Sequence, residues 1–228
     1  MDRLLWLLDA RWHVMGSEIL WREIIGNGFG LASAILGMRR KVWAWPVGIA
    51  GNLLLFTVFL GAVFETPQAK DLYGQAARQV FFLLVSVYGW WRWSRNRHAG
   101  SGDHAAVTPR WASGRERLAL AAASVVGIGV AYAGLRALGS WGPLADAWIL
   151  VGSLLATYGM ARGYVEFWLV WIAVDLVGVP LLLKAGFYPS ALLYGVYGVF
   201  CVVGFLAWRR VQRTSVDIGV GEPVGATP

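Results

Sequence analysis

Seven apolar runs follow one another along this 228-residue chain, each close to the ~20 residues that cross a bilayer core. A segment in hydrocarbon has no water for its N–H and C=O groups, so it forms a helix or joins a sealed barrel. These runs are continuously apolar rather than alternating, and their length selects helices. The spans read as Glu23–Met38, Trp43–Phe64, Leu72–Trp93, Leu118–Leu138, Ala145–Ala161, Tyr164–Leu183 and Pro189–Trp208, the Gly-rich first and the fifth being short. Composition agrees. The chain is 57% hydrophobic and 14% charged, where a soluble domain carries roughly 25% charged residues. Fourteen Trp and 29 Gly fit the same solvent, because Trp gathers at membrane interfaces and Gly is frequent in transmembrane helices.

Other classes fall away. The +7 formal charge sits in short clusters between apolar runs, as loop anchors do, so nucleic-acid binding is rejected. The single Cys201 lies in an apolar run and excludes disulfide scaffolds and thiolate metal sites. His13, His98 and His104 are too dispersed for a metal cluster. No Walker loop, GxSxG or HExxH occurs. No enzyme chemistry, metal or cofactor is therefore expected. The N-terminus, with Arg3, Asp9 and Arg11 around a Leu/Trp patch, lacks a small-residue cleavage site, so no signal peptide is expected.

The fold class expected is all-α integral membrane. Residues 1–22 read as an N-terminal segment forming a short interfacial helix, 23–93 as a first three-helix unit and 94–117 as a basic cytoplasmic loop. Residues 118–138 read as a linker helix, 145–208 as a second three-helix unit and 209–228 as a disordered polar cytoplasmic tail. With the N-terminus outside, thirteen Lys and Arg fall in inner segments (Arg39, Arg40, Lys41, Arg92, Arg95, Arg97, Arg110, Arg115, Arg117, Arg162, Arg209, Arg210, Arg213) and six in outer ones (Arg3, Arg11, Arg22, Lys70, Arg136, Lys184). Positive residues stay cytoplasmic, which gives N-out, C-in.

The chain also resembles itself. Trp45-Pro-Val-Gly-Ile-Ala-Gly-Asn52 in the second span aligns with Trp168-Leu-Val-Trp-Ile-Ala-Val-Asp175 in the sixth. Tyr88-Gly-Trp-Trp-Arg-Trp93 ends the third span as Val203-Gly-Phe-Leu-Ala-Trp208 ends the seventh. Two three-helix units joined by one extra helix run the same way through the membrane. This 3+1+3 arrangement of parallel repeats is a transporter architecture, with substrate bound between the halves near the midplane.

Polar residues in spans usually face a cavity or the bundle interior. Trp168, Trp171 and Asp175 (i, i+3, i+7) share one helical face. Burying an acid there costs roughly 2.5–3.5 kcal/mol on the insertion scale, so the acid has a use. Two indoles beside one acceptor suit a planar, hydrogen-bonding heterocycle. Gln75, Arg78, Gln79 and Phe82 follow i, i+3, i+4, i+7 on the third span, Glu23 and Asn27 are one turn apart on the first, and Tyr194 and Tyr197 one turn apart on the seventh. Asn52 and Trp45 hold the places in the first repeat that Asp175 and Trp168 hold in the second. The expected substrate site is Trp168, Trp171, Asp175, Asn52, Gln75, Gln79, Trp45, Tyr194 and Tyr197. Glu23, near the outer interface, and Arg78 are expected to pair with each other or with headgroups. Pro180 is expected to bend the sixth span beside the site.

At these residues the chain resembles the PnuC-type family of bacterial B-vitamin transporters. The carriers are Gln79-Val-Phe-Phe with Tyr88-Gly-Trp, then Tyr164-Val-Glu-Phe-Trp168-Leu-Val-Trp171, and the resemblance covers about Trp21 to Arg210. It implies a 3+1+3 bundle of the bacterial inner membrane, usually homotrimeric. It also implies facilitated diffusion of an unphosphorylated vitamin, trapped inside by a cytosolic kinase. One departure is informative. Nicotinamide riboside members carry Asn four residues after the second Trp, whereas this chain has Asp175. That wording, with Gly139-Ser-Trp-Gly-Pro143 and Met160-Ala-Arg-Gly163, is most similar to the riboflavin-carrying actinobacterial branch. The residues leave two substrates open. A carboxylate can accept from a flavin N3–H or ribityl hydroxyl, or draw in the cationic ring of nicotinamide riboside or thiamine.

Overall fold

The computed structural model describes residues 10–14, 17–38, 42–64, 66–98 and 109–220. Expectations that fall on residues 1–9, on Arg39, Arg40 and Lys41, on loop residues 99–108 and on tail residues 221–228 lie outside these. The described residues form seven helices: α1 (Trp21–Met38), α2 (Ala44–Phe59), α3 (Tyr73–His98), α4 (Gly114–Ala137), α5 (Pro143–Arg162), α6 (Phe167–Ala185) and α7 (Tyr188–Val220). Ahead of them two antiparallel strands, β1 (Arg11–Val14) and β2 (Ser17–Leu20), pair as a hairpin.

Two segments differ from expectation. The interfacial helix expected over 1–22 meets a hairpin from Arg11 to Leu20. Its register sets Trp12 opposite Ile19, a cross-strand aromatic and β-branched pair of the kind that favours strands. Arg11 and His13 both reach Glu18, at 3.1 and 2.9 Å. The tail expected to be disordered from Arg209 instead continues α7 to Val220. Residues 209–218 contain neither Gly nor Pro, and Arg and Gln are good helix formers. At 1.5 Å per residue the 33 residues of α7 span about 50 Å, more than the ~30 Å hydrocarbon core, so its end projects into water.

Helices α4, α5, α6 and α7 are long and apolar enough to cross a membrane, and α2 is apolar but shorter at 16 residues. The polar members are α1, with Arg22, Glu23 and Asn27, and α3, with Gln75, Arg78 and Gln79. Helix ends follow local chemistry. Ser113 and Glu116 form a capping box at the start of α4, typically worth about 1 kcal/mol. Gly163 and Gly186 close α5 and α6 at φ 74° and 88°, the left-handed region open to a residue without Cβ. The short turns that follow make α5, α6 and α7 antiparallel neighbours.

Packing is sequential and then crossed. α1 lies on α2 and α2 on α3; α5 lies on α6 and α6 on α7; α4 lies against α5. The two triplets meet where α3 packs on α5 and α1 on α7. Two buried acids sit at those seams. Glu23 on α1 accepts the Ser190 N–H of α7 at 3.0 Å. Asp146 on α5 accepts the Gly74 N–H of α3 at 2.6 Å and the Ser140 hydroxyl at 2.7 Å. Each acid therefore caps the first turn of a helix in the other triplet, where N–H groups lack intrahelical partners. A second correspondence lies at the opposite end. A methyl group on Gly89 of α3 would overlap the Trp45 indole, and one on Gly204 of α7 would overlap the Trp168 indole. The apolar core, with Val58, Phe59, Leu72, Leu182 and Phe187, fills the end near the hairpin, and Phe59 meets Phe187 edge-on at 5.6 Å.

Candidate substrate site in the helix bundle

Helix α6 divides cleanly by face. Leu176 is 71% exposed and points outward, whereas Asp175 is 7% exposed. Trp171, one turn earlier, is half-buried and lies 6.1 Å from the Phe82 ring of α3, tilted by 31°. Phe82 in turn receives the Arg78 guanidinium at 5.6 Å, and Arg78 also lies over the Tyr194 ring of α7 at 4.9 Å. Tyr194 donates to Gln75 Oε1 at 2.9 Å. It fits against α6 because a side chain at Gly178 would collide with its ring. Tyr197, a turn further along α7, brings its hydroxyl to Gly30 of α1, 3.3 Å from where a Cβ would stand. Gln75, Gln79 and Arg78 are all buried.

One cluster thus gathers Gln75, Arg78 and Phe82 from α3, Trp171 and Asp175 from α6, and Tyr194 from α7. Three of its buried polar atoms have no hydrogen-bond partner: Gln75 Nε2, Arg78 Nε and Asp175 Oδ2. Leaving such a group unmade costs ~1–3 kcal/mol. A donor, a donor and an acceptor beside aromatic faces are what a planar ligand with polar edges would satisfy.

The remaining expected residues lie around this cluster. Trp168 is half-buried at the first turn of α6, packed on Phe167 at 4.5 Å, Trp208 at 5.9 Å and Phe200 at 6.0 Å. Its Nε1 is buried without a partner. Trp45 rests on Gly89 within the first triplet, and Asn52 is half-buried two turns along α2. Arg78 corrects the reading that paired it with Glu23 or with headgroups. Glu23 is fully buried and bonded to the start of α7, beside Asn27, which donates to the Glu23 carbonyl and to Ser190. Arg78 belongs with the aromatics. Its spacing with Gln75 and Phe82 placed it on that face, and only the prior that cations prefer headgroups pointed elsewhere. Pro180 sits on the exposed side of a helix that runs through it from Phe167 to Ala185.

Away from the cluster, a hollow of about 480 Å³ lined by Val179, Leu183, Ala191, Leu192 and Val199 marks the outer face of α6 and α7. Its lining is apolar, as a lipid-facing surface requires. At the end opposite the hairpin, residue 110 pairs with Tyr164 as a parallel bridge. Arg110 grips Glu116 through two bonds of 2.9 and 2.8 Å, and Tyr164 donates to the same carboxylate at 2.7 Å. Glu116 thereby holds the Arg110 guanidinium above its ordinary pKa.

Seven helices, most of them apolar, around a buried polar and aromatic cluster define a multi-pass membrane protein. The chain belongs to the nicotinamide mononucleotide transporter family, whose model matches residues 20–210. Localisation follows: a multi-pass protein of the bacterial inner membrane. Among curated relatives, the riboflavin/roseoflavin transporter RibM of Streptomyces davaonensis is 36% identical over 96% of this chain and 99% of its own. The nicotinamide riboside transporter PnuC of Escherichia coli is 28% identical over 87% of this chain and 89% of its own. A crystal structure of the vitamin B3 transporter PnuC superposes with a TM-score of 0.63, at 24% identity, over 85% of this chain and 83% of that one.

Proposed function

We propose that this protein carries riboflavin and close flavin analogues across the membrane by facilitated diffusion, without enzyme chemistry. The observation that carries the reading is the 36% identity, end to end, with a riboflavin/roseoflavin transporter. The cluster supports it: Trp171 and Phe82 offer ring faces, while Asp175, Gln75, Gln79, Tyr194 and Tyr197 offer polar edges. Trp168 and Trp45 close the site from below, one from each triplet, and Asn52 lines it from α2. The two triplets are parallel repeats joined by α4, a 3+1+3 bundle with the hairpin end outside and the end of α7 in the cytoplasm. The matched acid caps and matched Trp–Gly contacts support that symmetry, and the thirteen-to-six bias in Lys and Arg supports the orientation. The family resemblance adds a homotrimer and a cytosolic kinase that traps the vitamin.

Nicotinamide riboside, or thiamine, is the second reading. It is favoured by the Escherichia coli relative and by the buried acid. Uptake into vesicles decides between carrier and non-carrier, since a carrier equilibrates intact riboflavin. Vesicles that accumulate no flavin but do take up nicotinamide riboside would replace the first reading with the second.

A further inference from the structure

We propose that Arg78 is the charge-balancing and specificity residue of this site, offsetting Asp175 so that the site takes uncharged planar heterocycles and excludes cationic ones. The inference rests on the reading of the cluster as the carrier's site and on riboflavin, rather than a cationic vitamin, as its substrate.

A buried guanidinium needs compensation. Here the ring faces of Tyr194 and Phe82, with the guanidinium carbon over them at 4.9 and 5.6 Å, supply it. The rings take none of its N–H groups as acceptors would, and Nε is buried without one. Across the cluster Asp175 Oδ2 is buried without a donor, on the same face as the Trp171 ring, which meets Phe82. The charge of Arg78 acts on Asp175 and also on Asp146 at the α3–α5 seam, although it makes no ion pair within 4.0 Å with either among the described residues; of the two, Asp175 is the one on the aromatic slot. A guanidinium and a carboxyl group therefore lie along the walls of one aromatic slot. A neutral ring with a carbonyl for the guanidinium and an N–H for the carboxylate uses both groups. An imide edge, as in a pteridinedione, has that pattern. A monocationic ring would gain from Asp175 and lose to Arg78. A buried acid alone would select cations; the arginine cancels that preference.

The test is a titration of purified wild type, Arg78→Met and Arg78→Lys with riboflavin, nicotinamide riboside and thiamine, followed by calorimetry and tryptophan quenching. Removing the charge should weaken riboflavin at least tenfold and strengthen both cations at least tenfold. Lysine should restore the exclusion of cations and only part of the riboflavin affinity, because it lacks the planar fork. A folded Arg78→Met protein whose cation affinities stay within threefold of wild type overturns the proposal. Arg78→Gln carries the same test should the Met variant not be recovered folded. Wild type that ignores all three vitamins would instead sink the reading of the cluster as the carrier's site, whereas wild type that binds either cation more tightly than riboflavin overturns the proposal.

Discussion

Asp146 offers the sharpest test of how the two triplets hold together. Both of its described bonds arrive at one oxygen: Oδ2 accepts the Gly74 N–H at 2.6 Å and the Ser140 hydroxyl at 2.7 Å. Asp146→Ala takes the acceptor from two donors in a place with no exposed surface, the Ser140 hydroxyl keeping only a long 3.5 Å contact with the Asp71 carbonyl. At ~1–3 kcal/mol for each buried group left unmade, the variant should lose about 2–6 kcal/mol. Asp146→Asn keeps one carbonyl oxygen, which can take both bonds where Oδ2 stands, so its loss should stay below about 1.5 kcal/mol. Thermal and denaturant unfolding in detergent, with both variants and wild type at equal protein concentration, reads the difference. Glu23→Ala is the counterpart at the other seam, with one bond from Ser190 at 3.0 Å, and should cost roughly 1–3 kcal/mol. An Asp146→Ala protein within about 1 kcal/mol of wild type would refute the view that this cap joins the halves. So would an Asn variant as damaged as the Ala one, since acceptor count could then not be the cause.

Three further outcomes are expected. Trp171→Ala should weaken flavin binding by about 1–3 kcal/mol, the scale of aromatic stacking on a flat ring, and also lower the melting temperature, because the indole packs on the apolar core; calorimetry on the folded variant and a thermal scan check both. Trp168→Ala should lower stability by about 2–4 kcal/mol, because its ring is packed among Phe167, Phe200 and Trp208; an unchanged melting temperature would contradict that. Gly204→Leu should drive Trp168 from its place and reduce folded protein on size-exclusion chromatography at least severalfold, with overpacking of this kind costing about 1–3 kcal/mol or more.

Much of the bundle was legible because bilayer physics acts through composition. Apolar runs gave the seven helices, α1 and α3 among them carrying polar residues, and Gly89 and Gly204, placed alike in the segments at 88–93 and 203–208, each pack against a Trp of the preceding helix. What escaped was set by context rather than by run length. The hairpin at Arg11–Leu20 depends on cross-strand pairs and on Trp12 stacking on Trp21 at 5.7 Å, neither visible to a helical period. The extension of α7 depends on the absence of breakers and on Trp111 Nε1 donating to Gln212 at 3.1 Å, a partner 101 residues away.

Helix α3 shows why the candidate site was half legible. Its polar face of Gln75, Arg78 and Gln79 keeps it from qualifying as an apolar span, yet that face is why it is central. A lipid-exposed helix cannot carry three such groups, so the bundle covers them with α2, α5 and the Tyr194 side of α7. Sequence spacing therefore identified which residues share the face. It could not identify their partners, because Arg78 and Glu23 are each within reach of several acids, donors or rings once the triplets meet. The helix packing chose: α1 against α7 gave Glu23 to Ser190, and α3 beside Tyr194 gave Arg78 to the aromatics. Ser190 and Tyr194 lie one turn apart on α7, so a variant that shifts the α1–α7 seam should also disturb the Arg78–Tyr194 contact. Fluorescence of a probe beside Tyr194, read in Glu23→Ala, should report that coupling, and a signal identical to wild type would refute it.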